Sequence, residues 1–206
     1  MDVLTKKSLI SSNKKKTLRA KIRAQRRALS PKKQKNANTW LYKNLERSFI
    51  LLRAKHIALY LGNDGEICLK KFIPKYLKRK KKLYLPVLHP LKKNHMVFCP
   101  ITSTTKLKKN HFGIFEPDFR NTACMPANRL SLVLLPLVAF DTYGNRMGMG
   151  GGYYDRAFEF KRNTLRNSPK LIGLAHELQK QAQLLTEPWD IPLFSIVTDQ
   201  RSYYSK

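Results

Sequence analysis

The chain is 206 residues long, with 41 Lys+Arg against 13 Asp+Glu, a formal net charge of +28, and 42% hydrophobic and 10% aromatic residues. That apolar content excludes a disordered chain, and no stretch approaches the ~18 apolar residues of a membrane span. Met1 to Lys16 holds no sustained apolar run, which argues against a secretory signal.

Residues 1–13 read as a loose extension and 14–206 as one domain, since no repeat or Gly/Ser linker divides the chain. From Lys14 to Leu29 the pattern is helical, with Leu18, Ile22 and Leu29 along one stripe. Ser30-Pro31 stops that helix and starts a second, running to about Ser48 and carrying Trp40, Leu41 and Leu45. His56 to Leu61 is a short apolar strand ended by the turn Gly62-Asn63-Asp64-Gly65. Glu66 to Lys78 reads as a helix, with Pro74 as its kink or its end. Strands are expected at Leu83–Leu88, Met96–Phe98, Ser131–Leu135, Lys170–Ala175 and Phe194–Thr198, with a helix at Ala157–Leu165. Strands alternating with helices predict an α/β fold: a single open, mostly parallel sheet flanked by helices in a Rossmann-like three-layer arrangement. In such sheets the ligand site lies beyond the carboxyl ends of the strands.

The charge invites nucleic acid as a partner, but its distribution argues otherwise. Basic runs at Lys14–Lys16, Arg26-Arg27, Lys32-Lys33, Lys78–Lys82, Lys92-Lys93 and Lys106–Lys109 are dispersed. No RNP-type aromatic motif, zinc finger or KH-type loop accompanies them. They read as a solvated surface, with no specific nucleic-acid site and no membrane partner. Cys68, Cys99 and Cys124 are odd in number and far apart, so reduced thiols in a cytoplasmic protein are expected, without a disulfide framework or a Cys-x-x-Cys metal knuckle. The five histidines show no metal spacing. His176 ends a strand, where it either faces a site or is hydrated at the surface.

The segment from Phe140 to Arg156 carries the chemistry. Four of the chain's nine glycines, Gly148, Gly150, Gly151 and Gly152, follow an apolar strand and precede a helix. Such a loop lets backbone amides approach a phosphate. It is not a dinucleotide fingerprint, because Tyr153 stands where a third glycine would be needed, and no Gly-Lys-Ser/Thr follows to make a Walker A loop. Arg146 adds a cation beside the loop and Asp155 a carboxylate at its far end. Cation, phosphate cradle and Mg²⁺-binding carboxylate are the parts of a nucleotide phosphoryl-transfer site.

Arg146-Met-Gly-Met-Gly-Gly-Gly-Tyr-Tyr-Asp155 resembles the nucleotide loop of the 5-formyltetrahydrofolate cyclo-ligases, also called methenyltetrahydrofolate synthetases. Further segments resemble the family in order and spacing: Lys15-Lys16-Thr17-Leu18-Arg19, Leu59-Tyr60-Leu61 through Glu66, Phe112-Gly113-Ile114-Phe115-Glu116-Pro117, Leu134 to Asp141, and Glu187-Pro188-Trp189-Asp190-Ile191-Pro192. The resemblance covers the chain from about Lys14 to Thr198.

It implies ATP-dependent closure of 5-formyltetrahydrofolate to 5,10-methenyltetrahydrofolate, with Mg²⁺ as cofactor and ADP and phosphate as products. By resemblance, Lys15, Lys16, Thr17, Leu18 and Arg19 join Arg146, Met147, Gly148, Met149, Gly150, Gly151, Gly152 and Tyr153 in binding ATP. Arg146 and Tyr154 are implied as catalytic. Leu61, Glu66, Phe112, Tyr153 and Tyr154 are implied on the folate, and Asp155 and Asp190 on the metal. Which of Tyr153 and Tyr154 faces the ligand is left open. One departure concerns the late acidic motif: family members often carry a second acid four positions after the Asp190 equivalent, and here that residue is Phe194. The implied partners are ATP and a reduced folate, with or without a polyglutamate tail, on a monomer. Two other classes compete: a basic nucleic-acid module that kept the fold, and a related α/β enzyme acting on another phosphorylated or CoA-type substrate.

Overall fold

The computed structural model describes residues 3–162 and 169–205. Helix α1 (Val3–Arg27) starts before the expected Lys14, and α2 (Pro31–Glu46) follows the Ser30–Pro31 break. Ser30 caps α2 by accepting from the Lys33 N–H at 3.3 Å, and Pro31 stands in the first turn, where its missing N–H costs nothing. Next come α3 (Phe49–Arg53), β1 (His56–Ala58), α4 (Phe72–Lys78), β2 (Lys82–Leu88) and β3 (Met96–Ile101). The small hairpin β4 (Leu107–Lys109) and β5 (Phe115–Pro117) precedes β6 (Leu132–Pro136). A second hairpin, β7 (Ala139–Phe140) and β8 (Arg146–Met147), leads through the glycines to α5 (Tyr153–Ala157). The chain closes with β9 (Lys170–Ala175), β10 (Ser195–Thr198) and β11 (Ser202–Tyr204).

Seven strands form one sheet in the order β11-β10-β9-β6-β1-β2-β3. The five inner strands are parallel, and β3 and β11 close the edges antiparallel. Both faces are buried, so the inner strands are continuously apolar rather than alternating. In β6, Leu132 and Leu134 enter one core with Leu41 and Leu45 of α2, Leu51 of α3, and Phe72 and Tyr76 of α4. Val133 and Leu135 point the other way, into a core with Phe140, Phe158 and Ile191. This is the three-layer α/β arrangement the sequence predicts, with its opposite face covered by α5 and by irregular segments.

Several expectations change. The helix expected over 66–78 begins only at Phe72, so Glu66 lies in the loop ahead of it, and Pro74 falls in the first turn without a kink. The helix expected over 157–165 is replaced by the five-residue α5 and a 3-10 turn at Glu159–Arg162; residues 163–165 lie outside the described residues. A helix this short has little dipole to offer an anion. Of the three residues named on α2, Leu41 and Leu45 are buried and Trp40 is exposed. Cys99 and Cys124 form a disulfide, against the expectation of reduced thiols. Their separation in sequence hides a β-bridge between Phe98 and Met125, which sets the two thiols side by side.

Helix α1 is placed where it matters most. It crosses the carboxyl ends of the parallel strands, with Arg26 donating to Leu137 O just past β6 and to Asp64 O past β1. No helix among the described residues is long and apolar enough to cross a membrane.

Candidate active site

One face of α1 touches three loops in succession. Lys15, Arg19, Arg23 and Arg26 recur at helical spacing and so share that face. Lys15 Nζ pairs with Glu187 Oε1 at 2.7 Å. Arg19 donates through Nε to Gly148 O at 2.9 Å. Arg23 Nε and Arg26 Nη2 both reach Asp64 Oδ2, at 2.7 and 2.8 Å. Between these contacts Leu18 packs on Ala139, Met147 and Leu184, which fastens the helix to the β7–β8 hairpin. Lys16 and Thr17 point away from these loops and are exposed.

The glycine loop is shaped by the chain before it. Asp141 is fully buried; Oδ1 accepts from Tyr143 and Asn145 N–H, and Oδ2 accepts from Asn145 Nδ2 and Leu184 N–H. These bonds close the hairpin that presents Arg146. Arg146 is nearly buried and donates to Asp155 Oδ1 at 2.5 Å and to Ile191 O. Asp155 Oδ1 also accepts from Ile191 N–H at 3.1 Å. Met147 is buried and Met149 exposed. Gly150 and Gly152 hold φ of +101° and +65°, backbone that glycine adopts without strain. A Cβ on Gly151 would lie 2.7 Å from the Tyr153 ring, whereas one on Gly148 would meet nothing within 4 Å. Backbone at Gly148 is thus open to an approaching group.

The two tyrosines divide. Tyr153 sits outward, against the edge of Phe112 with ring centroids 6.4 Å apart. Tyr154 turns inward to stack on Phe158, and burial together with the nearby Glu66 charge raises its pKa. Phe112 is exposed near the tip of the β4–β5 hairpin. Glu116, in the same motif, is buried and accepts from Asn110 Nδ2 at 2.9 Å and from Leu88 N–H at 3.4 Å, which docks the hairpin on β2.

Glu66 follows a turn held from several sides. Its Oε2 accepts from Asn63 N–H at 3.1 Å, and its Oε1 lies 3.8 Å from Arg26 Nη1. Burial raises the Glu66 pKa; the Asn63 N–H and the Arg26 charge oppose that rise without cancelling it. Burial also pushes Asp64 upward, but Arg23 and Arg26 outweigh it and hold that carboxyl below its usual range. Leu61 is not drawn to Glu66. It lines a groove of about 630 Å³ with Ile73, Pro74, Leu77, Leu85 and Ile101, a set that includes neither Phe112 nor Tyr154.

The carboxylates implied as metal ligands are separately engaged. Asp155 serves Arg146 and Ile191, and Asp190 Oδ2 accepts from Glu187 N–H at 2.8 Å. Among the described residues no group of three or more His, Cys, Asp or Glu side chains could hold a metal ion. That does not conflict with Mg²⁺ bound as its ATP complex, which uses only one or two protein carboxylates beside waters and phosphates. Asp190 lies within electrostatic reach of Arg19, whose pKa is lowered by burial and raised in part by Asp190.

Residues missed by the sequence analysis are Arg26, Asp64, Gln179, Glu187 and Asp141 as supports of the site. His176 is corrected as well: it is buried, not hydrated, with Nε2 3.1 Å from Gly65 O. The repeat Lys15, Arg19, Arg23, Arg26 was the available signal for Arg26.

A mostly parallel α/β sheet with a glycine loop, clustered guanidiniums and carboxylates at its carboxyl edge has the parts of an enzyme site for anionic ligands. The 5-formyltetrahydrofolate cyclo-ligase family model matches residues 11–199, and the chain belongs to that family of ligases. A 5-formyltetrahydrofolate cyclo-ligase of Haemophilus influenzae is 39% identical over 188 residues, covering 91% of this chain and 99% of that protein. The NMR structure of an Aquifex aeolicus 5,10-methenyltetrahydrofolate synthetase superposes with a TM-score of 0.78 at 29% identity, covering 92% of each chain. A synthetase of the same name from Mycoplasma pneumoniae gives 0.70 at 27% identity, covering 90% of this chain and 98% of that one.

Proposed function

We propose that this ligase closes 5-formyltetrahydrofolate to 5,10-methenyltetrahydrofolate at the expense of ATP, and that both substrates meet along the face of α1 that carries Lys15, Arg19, Arg23 and Arg26. The observation that carries this reading is that one helix face joins the open glycine loop, through Arg19, to the Asp64–Glu66 turn, through Arg23 and Arg26. A formyl oxygen on nitrogen is a poor leaving group. Transfer of the γ-phosphoryl to that oxygen gives an activated imidate, the N10 nitrogen attacks its carbon, and phosphate departs. Such a reaction needs positioning and charge stabilisation rather than a covalent nucleophile.

Lys15 and Arg19, with the amides of Gly148–Tyr153, are assigned to the phosphates. Arg146 holds Asp155 and the Ile191 backbone in place behind the loop, and with Tyr154 borders the transferring group. Mg²⁺ bound with ATP supplies charge neutralisation on the phosphoryl oxygens. Asp155 and Asp190, both hard oxygen donors at the loop, would hold it. Glu66 is assigned to the paired N–H donors of the pterin, for which a carboxylate is the matching acceptor, and the Phe112–Tyr153 pair to the wall of the folate site. The cytoplasm is the location that belongs to this reading, in line with the bacterial relatives. The test is absorbance at the methenyl-folate band after mixing the protein with 5-formyltetrahydrofolate, Mg²⁺ and ATP. An ATP-dependent rise is expected; a trace that matches the ATP-free control refutes the assignment.

A further inference from the structure

We propose that Arg26 is the positioning residue for Glu66, fixing where and in what charge state that carboxylate meets its ligand. The proposal rests on the assignment of Glu66 to the folate.

Arg26 is only 1% exposed, in a chain whose other basic residues largely cover its surface. A guanidinium withdrawn from water needs every donor matched. Nε donates to Asp64 O at 2.9 Å, Nη2 to Asp64 Oδ2 at 2.8 Å, and Nη1 to Leu137 O at 3.2 Å. The same Nη1 stands 3.8 Å from Glu66 Oε1. One planar fork thus spans the backbone of the turn, its aspartate, the end of β6 and Glu66. The far side of the turn is fixed independently. His176 Nε2 contacts Gly65 O, and Gln179 donates to Leu137 O and Val138 O while accepting from His176 N–H. Gln34 adds two donors, to Gly65 O and Glu66 O, at 2.8 and 3.0 Å. A Cβ on Gly65 would lie 3.0 Å from Arg26 O, so helix and turn are in backbone contact.

The arrangement leaves Glu66 asymmetric. Oε2 is bound by Asn63 N–H, whereas among the described residues Oε1 has only the longer ion pair to Arg26. Oε1 therefore remains able to accept from a ligand while its charge is held by a neighbour that does not occupy it. The other groups facing Glu66 are Arg23 on α1, Asp64 in its own turn, Tyr60 beyond β1 and Tyr154 on α5. Of these, Arg26 alone combines burial, an ion pair to Glu66 and hydrogen bonds that fix the turn. Lysine would keep the charge but not the fork.

The test is steady-state kinetics on Arg26→Lys, Glu66→Gln and the double variant, with thermal melts. Arg26→Lys is expected to raise the KM for 5-formyltetrahydrofolate about tenfold, while kcat and the KM for ATP move by less than about twofold. It should also shift the acid limb of the folate kcat/KM profile to higher pH, because lysine keeps the charge but lacks the fork that holds it 3.8 Å from Glu66 Oε1. The double variant should be no worse than Glu66→Gln alone, since both act through one carboxylate. An unchanged folate KM in Arg26→Lys overturns the proposal. So does an equal rise in both KM values, or full additivity in the double variant, because either marks Arg26 as a structural anchor only. An Arg26 effect with no Glu66→Gln effect refutes the folate assignment of Glu66, and the link with it. A Glu66→Gln effect with no Arg26 effect refutes the link alone. If Arg26→Lys does not fold, His176→Phe releases the turn from its other side and is read by the same KM split.

Discussion

Along α1 the same kind of side chain meets two differently built regions. At the Lys15–Arg19 end the partner is a loop whose Gly148 faces open space and whose Met149 is 54% exposed. At the Arg23–Arg26 end the partner is a turn locked by Arg26, His176, Gln179 and Gln34. The difference teaches how order is divided between protein and ligand. A polyphosphate carries several charges and can organise flexible amides as it arrives. A flat heterocycle carries few charges and must find its acceptor already in place.

The largest effect should come from Arg146→Ala, which breaks the ion pair that ties the two ends of the loop together. Loss of turnover by at least about a hundredfold is expected. Stability should fall by about 3 kcal/mol, because Asp155 is left partly buried without its cation. Kinetics and a denaturant melt on one preparation check both numbers. Gly151→Ala comes next. The added methyl meets the Tyr153 ring at 2.7 Å, so either that ring or the loop must move, and the ATP KM should rise about tenfold. Gly148→Ala sharpens the comparison. Nothing in the protein obstructs its methyl, so stability should stay within about 0.5 kcal/mol of the parent, yet the ATP KM should rise if a phosphate is to pass there. An unchanged ATP KM would remove Gly148 from the phosphate site.

The smallest effect belongs to the closed region and is a matter of pH. Burial raises the Glu66 pKa, so its carboxyl takes up a proton at higher pH than an ordinary glutamate. Folate affinity should therefore decline as pH falls toward that raised value, and Glu66→Gln should flatten this dependence. The stability sign is opposite. With the folded pKa above the unfolded one, Glu66 favours the fold below its ordinary pKa, and that contribution is lost as pH rises through the raised value. Folate KM and melting temperature measured across the acid range of pH separate the two trends.

The open region was legible in sequence and the closed one was not. Glycines, Arg146 and Asp155 lie within a single stretch, so the loop they build can be picked out from their spacing alone. Arg26 was read as part of a solvated Arg26-Arg27 pair, because a lysine- and arginine-rich chain offers no contrast between a buried cation and its neighbours. Its partners Asp64 and Leu137, and the His176–Gln179 turn that braces their backbone, come from three separate loops that only the parallel sheet gathers. The strand Lys170–Ala175 was read to the residue, since its apolar run is continuous. Glu66 was misplaced in a helix because the apolar spacing of Leu69, Phe72, Ile73 and Leu77 extends past the true start at Phe72. The Cys99–Cys124 bond depended on the Phe98–Met125 bridge, which no local pattern signals.

The contacts of α1 also set an order of events in the life of the chain. Lys15 waits for Glu187, 172 positions later, and Arg19 for Gly148, 129 positions later. During synthesis this helix emerges as a bare cationic rod long before its partners exist. Contacts so distant in sequence form late in folding. Any chain cut short before Glu187 leaves the rod unclamped at its Lys15 end. Completion of the site thus waits for the segment that brings Glu187, and a product truncated before it has little opportunity to consume ATP.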